Sequence, residues 1–515
     1  MSSSLKKHPL ITGAFILMLT GLTSRVIGFF YRIFLSHAIG AEGMGIYQLV
    51  FPVYTLCFAL VVSGMQTGIS RCCAAALAEK DPSRARTCFL AGFGISFSLS
   101  LAAALFLHRH AAFLSLRLLG EPRCQPLLEL ISWGIPLGTV HTCVSAYYYA
   151  RQKTAVPSAA QLLEQLVRVS ASLLIWAVFL DQGRTPTPIL AVGGMIAGEL
   201  ASSLFTGICL LVHFQDPVYR RSSLASLGMC SRSLLTLALP LTANRVLLTL
   251  LQSAEAILIP RQLQLSGMSD TAALTIYGVF TGMAMPFLMF PSAITGSVST
   301  LLLPTVAGDQ ARGDRNAIRT ATEKTIKYCL LLGIFFAGVF FFHGESLGIL
   351  VFHNKEAGIF LKILSFICPF LYLTGTLSSI LHGLGHTFLG FLQNLAGLLI
   401  RILFILLAVP RLGITGYLWG ILVSQLVITG LNMYFIRRYV DFRFQAFPWI
   451  LQPAFALFTG CGCSLLLQSC LTAAGVLPPL AVLILGLILG AAVYLGLLFS
   501  MGLLHTETLK RLLSR

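Results

Sequence analysis

Hydrophobic positions in this chain gather into long, nearly unbroken runs, without the regular polar returns of a water-facing helix or strand. Crossing a bilayer takes about 20 helical residues, and fourteen runs are long enough. The first seven centre on Leu10–Ser36, Val50–Ala76, Thr87–Leu107, Leu127–Tyr149, Pro157–Leu180, Pro188–Phe214 and Leu234–Pro260. The second seven centre on Thr275–Thr305, Ile326–Phe342, Ile359–Ile380, Thr387–Val409, Gly413–Ile436, Pro448–Leu471 and Leu477–Ser500. In hydrocarbon every backbone N–H and C=O must be satisfied internally, so each run predicts a helix. The polar intervals are too short for a separate soluble domain. The pattern predicts an all-α polytopic membrane protein with about fourteen transmembrane helices.

Composition strengthens this expectation. The 515 residues are 56% hydrophobic and only 10% charged, with a mean hydropathy of +0.85, which excludes an ordinary soluble domain. The net charge of +17 would suit nucleic acid in a soluble protein. In a membrane protein it fits loops held against anionic lipid, so no nucleic-acid partner is expected. Of the 35 Lys and Arg, 21 fall on the side that holds Lys6, Lys7, Arg220, Arg221, Lys510, Arg511 and Arg515. Only 7 fall on the opposite side. The positive-inside rule then predicts that both termini are cytoplasmic. The first run is too long for a signal peptide, carries Arg25 and Arg32, and lacks a small-residue cleavage site, so it is expected to be retained. The 13 cysteines lie mostly in apolar runs. Cys72-Cys73 and Cys461-Gly462-Cys463 lack the spaced second pair of a zinc site. They are expected to be small core residues, and no metal or cofactor is expected.

The two halves of the chain repeat. A shift of 233 residues pairs Arg86 with Arg319, Pro136 with Pro369, Thr154 with Thr387 and Arg168 with Arg401, and a shift of 230 pairs Ile46-Tyr47 with Ile276-Tyr277. Shared prolines and intramembrane arginines are not trivial matches. Six spans per copy give both copies the same orientation. The expected plan is two pseudo-symmetric six-helix lobes around a central cleft, residues 1–225 and 226–440. Two further helices and a cytoplasmic tail follow over 441–515.

Charge within the runs carries the candidate chemistry. A cation at the bilayer centre costs about 2.5–3.5 kcal/mol even on mild insertion scales. Seven basic residues lie within spans: Arg25, Arg32, Arg71, Arg168, Arg245, Lys362 and Arg401. Only four acids do: Glu129, Glu164, Glu199 and Glu255. Arg25 and Arg32 are seven residues apart, on one helical face. Arg25 lies roughly 22 Å in from the cytoplasmic end at 1.5 Å per residue. In the seventh span Asn244-Arg245 precedes Gln252 and Glu255 at helical spacing. Glu164 and Arg168 suit an i,i+4 pair. His382 and His386 flank a Gly-Leu-Gly turn and are not expected to hold a metal.

The residues themselves point to a family. Gly21-Leu22-Thr23-Ser24-Arg25-Val26-Ile27-Gly28-Phe29-Phe30-Tyr31-Arg32, followed by Ile39-Gly40-Ala41-Glu42-Gly43-Met44-Gly45-Ile46-Tyr47, resembles the opening of the stage V sporulation protein B group. Ser63-Gly64, Ile69-Ser70-Arg71, Ala238-Leu239-Pro240 and Ile380-Leu381-His382-Gly383-Leu384-Gly385-His386-Thr387 extend the likeness over nearly the whole chain. That group belongs to the multidrug/oligosaccharidyl-lipid/polysaccharide exporter (MOP) superfamily. MurJ-type lipid II flippases are related and share Ser24-Arg25-Val26 and Gly28-Phe29, but their second arginine falls where this chain has Tyr31. The resemblance implies a flippase of the bacterial plasma membrane for an undecaprenyl-diphosphate-linked saccharide, a peptidoglycan precursor above all, with a role in cell-wall polysaccharide synthesis; whether that role is tied to sporulation stays open.

A diphosphate accepts bidentate arginine contacts, so the basic excess of the first and seventh spans suits an anionic head group. Arg25, Arg32, Arg245, Asn244 and Gln252 are the candidate substrate-binding residues, Arg71 a contact where the head group comes in, and Glu255 a candidate for ion coupling. No nucleophile–base constellation marks an enzyme, and there is no Gly-Lys pair for a phosphate-binding loop. Expected partners are the lipid-linked saccharide, membrane lipids and cell-wall synthases. Two other readings stay open: a sodium- or proton-coupled multidrug antiporter of the same superfamily, and a non-transporting scaffold for cell-wall synthesis.

Overall fold

The computed structural model describes residues 9–215, 224–475 and 477–504; Lys6, Lys7, Arg220, Arg221, Lys510, Arg511 and Arg515 lie outside the described residues. Among the described residues every regular element is helical. Thirteen stretches of the described residues are long and apolar enough to cross a membrane. The first, Ile16–Ala78, has 63 residues, about 95 Å of helix against about 30 Å of hydrocarbon. It contains the first two expected crossings, which brings the count to the fourteen read from the apolar runs.

Helix α1 (Pro9–Phe58) is kinked at Gly40, whose φ of 68° and ψ of −179° no other residue type adopts readily. A π-helical turn, Ala59–Ser63, passes the chain into α2 (Gly64–Ala78). Then follow α3 (Pro82–Arg109), α4 (Gln125–Ser132), α5 (Gly134–Ala150), α6 (Ala155–Asp181), α7 (Ile189–Phe214), α8 (Leu224–Leu265) and α9 (Asp270–Gly278). These helices, with Val409–Gly413, form one compact unit. The seventh span, α8, is therefore packed with the first six. Its Cys230 and Leu234 share a core with Ile69, Phe89, Cys143 and Tyr147 from α2, α3 and α5. All thirteen cysteines are free thiols, and Cys73, Cys88, Cys143 and Cys230 sit in that core.

The second compact unit comprises Val279–Ala408 and Ile414–Arg515. Its long helices are α10 (Ser292–Arg312), α11 (Arg315–Phe352), α12 (Lys355–Leu364), α13 (Cys368–Gly383), α14 (Thr387–Leu407), α15 (Ile414–Val440), α16 (Gln452–Ala474) and α17 (Pro479–Ser500). Helices α10, α11, α13 and α15 share one core through Val306, Ile326, Leu377 and Ile436. The last two helices dock on α11: Leu457 and Tyr494 pack on Leu331, whose carbonyl accepts the Tyr494 hydroxyl at 2.9 Å.

Candidate functional site

Helices α1 and α8 carry most of the candidate residues, and both lie in the first unit. The Ser253 hydroxyl donates to the Pro52 carbonyl at 3.0 Å, fastening α8 to α1. Thr249, Ser253 and Glu255 of α8 are buried. Asn244, Arg245 and Gln252 are exposed, with Arg245 and Gln252 seven residues apart and so on one face. Arg25 is likewise exposed on α1, and Arg71 is exposed on α2. Among the described residues neither Arg25 nor Arg245 forms an ion pair. Arg168 does, with Glu164 one turn away.

Arg32 behaves differently from Arg25. It is partly buried, and its electrostatic neighbours are Tyr47, Arg168 and Tyr31. It thus belongs to a polar cluster that reading along the chain did not assemble. Tyr31 hydrogen-bonds Ser172 at 2.8 Å, and the Ser172 hydroxyl also lies 3.2 Å from the Leu190 carbonyl. Glu164, Arg168 and Ser172 recur every four residues along one face of α6. Across from them are Glu199 on α7 and His141 on α5, whose ligand atoms and that of Glu164 all lie within 4.8 Å of one another. The signal for this cluster was present: an ionisable residue sits mid-run in three consecutive spans, with a glycine within three residues before it in two of them (Gly138 before His141, Gly198 before Glu199).

The glycine-rich motif after the first span has a structural role. Gly45 and Gly278 lie at a close crossing of α1 and α9. Glu42 accepts from Arg123 Nη1 at 2.7 Å, and Arg123 also grips Glu121 with Nε and Nη2 at 2.7 and 3.0 Å. That clamp ties the kinked part of α1 to the turn before α4. Hydrogen bonding from Arg123 holds the Glu121 carboxyl below the usual carboxylate range.

Residues 10–308, which include every helix that carries these groups, match the family described as "Polysaccharide biosynthesis protein". The chain belongs to the polysaccharide biosynthesis protein family. This family member is similar to stage V sporulation protein B of Bacillus subtilis (strain 168), 26% identical over 461 residues that cover 88% of each chain. Lipid II flippase MurJ of the same organism is 24% identical over 182 residues, 33% of this chain and 34% of MurJ. A solved structure of the lipid II flippase MurJ in an inward closed conformation superposes with a TM-score of 0.69 at 14% identity, covering 97% of this chain and 100% of that one. At that identity the likeness is one of fold. The all-α, multi-pass membrane architecture expected from the apolar runs is the architecture found.

Proposed function

We propose that this polysaccharide biosynthesis protein is a flippase that carries an undecaprenyl-diphosphate-linked saccharide, a peptidoglycan precursor such as lipid II, from the inner to the outer leaflet by alternating access. Arg25 and Arg245 hold the diphosphate, with Arg32, Asn244 and Gln252 assisting. Arg71 meets the head group as it arrives at the cytoplasmic side, and the polyprenyl tail stays in lipid. The carrying observation is the contrast among arginines. Arg168 has a carboxylate partner, whereas Arg25 and Arg245 are exposed and make no ion pair among the described residues. Cations in apolar spans without a protein counter-ion suit an anionic ligand that supplies one on binding.

Resemblance to stage V sporulation protein B and to MurJ supports the substrate class. Two negative charges leaving an interior-negative cell gain about twice the 2.3 kcal/mol that one charge gains per 100 mV, so the membrane potential suffices to drive export. The test is head-group accessibility in proteoliposomes loaded with a polyprenyl-diphosphate saccharide. Wild-type protein exposes the head group, and Arg25→Ala and Arg245→Ala, folded as judged by thermal unfolding, do not. Undiminished flipping by both variants would remove the clamp.

A further inference from the structure

Three neighbouring helices of the first unit bring together ionisable groups for which the diphosphate clamp has no use. His141 of α5, Glu164 of α6 and Glu199 of α7 converge within 4.8 Å. Glycine permits the approach. The Cβ position of Gly198 lies 2.7 Å from the Glu164 carbonyl oxygen and 3.4 Å from Glu164 Cγ, and that of Gly138 lies 3.2 Å from Glu199 Oε2. Small residues at helix crossings let membrane helices come this close.

The charges in the cluster do not balance. Glu164 is engaged by Arg168. Glu199 is only 8% exposed, and its Oε2 has no hydrogen-bond partner among the described residues. A buried carboxylate without a partner costs several kcal/mol. Among the described residues the charged groups acting on Glu199 are Glu164 and Arg168. Tyr54 of α1 faces Glu199, while Tyr47 and Arg32 of α1 lie toward Arg168. On α4, Glu129 accepts from Gln125 at 2.9 Å. Tyr31 is held by Ser172. At Glu199 two carboxylates therefore stand against one guanidinium, and an imidazole and a second carboxylate lie within 4.8 Å of the Glu199 carboxylate.

We propose that His141, Glu164 and Glu199 form a binding site for one small monovalent cation, a proton or Na+, whose single charge completes the cluster. A divalent ion would overshoot by one charge with Arg168 fixed beside it. The site differs from Glu255, the acid singled out by spacing. Through the Tyr31–Ser172 bond its α6 face is tied to α1, the helix of Arg25 and Arg32. Cation occupancy can thereby bias the position of that helix. This coupling rests on the flippase reading, whereas the binding itself does not.

The experiment is infrared difference spectroscopy of the carboxyl region on the full chain in nanodiscs, with no saccharide lipid present. One arm exchanges choline for Na+ at constant pH; the other lowers pH in sodium-free buffer. Wild type is expected to give, in one arm, a buried-carboxyl band distinct from that of the surface acids, and that arm names the cation. Glu199→Gln is expected to abolish it, and Glu345→Gln, which removes the exposed partner of Lys362, to keep it. His141→Gln serves if Glu199→Gln fails to fold, and is expected to weaken the apparent affinity at least about tenfold. Wild type without a signal in either arm, or variants indistinguishable from wild type in both, would overturn the site. Because no lipid substrate is present, a negative flipping assay leaves this outcome untouched, and the converse also holds.

Discussion

Gly45 of α1 and Gly278 of α9 meet at a crossing that has no room for a side chain. A Cβ on Gly45 would run into the Leu274 carbonyl, and one on Gly278 into the Ala41 carbonyl and the Gly45 amide. Backbone atoms cannot rotate aside as a side chain can. Gly45→Ala or Gly278→Ala is therefore expected to push the helices apart at about 1–3 kcal/mol or more. Gly21→Ala and Gly28→Ala lie on the same α1 with nothing within 4 Å of a new Cβ, and a helix-interior alanine there is neutral or mildly stabilising. Thermal unfolding of purified protein separates the two pairs. A Gly278→Ala protein that melts with wild type would contradict the crossing.

The Glu42–Arg123–Glu121 clamp predicts a pH dependence. The Arg123 and Glu42 side chains are 49% and 38% exposed, so solvent screening keeps the contribution at about 1 kcal/mol or less. The Glu121 carboxyl is held below its ordinary value in the folded protein, near 4.3 in an unfolded chain. Its contribution is complete above that unfolded value and fades as pH falls through the folded one. Arg123→Ala should thus lower the melting temperature slightly at pH 7 and make no difference in strong acid. A variant effect that grows on acidification would have the wrong sign.

Removing one partner of the Glu164–Arg168 pair should cost far more than removing a surface pair. Arg168 is mostly buried. Arg168→Met leaves the buried Glu164 carboxylate without its partner, at about 3–5 kcal/mol, whereas Glu164→Ala/Arg168→Met removes both charges of the pair and should recover much of the loss. Folded yield and melting temperature of the single and double variants report it. A single variant as stable as wild type would show that the pair is ornamental.

The membrane architecture was legible because long apolar runs permit only helices, and the Gly40 kink falls in the interval between the first run, Leu10–Ser36, and the second, Val50–Ala76. The interruption of the second crossing by the π-turn Ala59–Ser63 was not legible, since its first four residues are all apolar. The pairing of Glu164 with Arg168 follows from i,i+4 spacing alone. The meeting of both with Glu199, His141, Ser172 and Tyr31 does not. It depends on how α1, α5, α6 and α7 rotate against one another, and helices apolar on all sides carry no stripe that reveals that rotation. Asn244, Arg245 and Gln252 were read from spacing and are exposed together, whereas Glu255 of the same series is buried.

Head-group accessibility in proteoliposomes bears most directly on the two arginines. With an interior-negative potential and a polyprenyl-diphosphate saccharide in the inner leaflet, wild type should expose the head group outside. Arg25→Ala should lose at least about tenfold in rate, which corresponds to one charge-assisted contact of about 1.5–3 kcal/mol, and Arg25→Lys should recover part of it. Equal rates for wild type, Arg25→Ala and Arg245→Ala, all folded, would contradict the account.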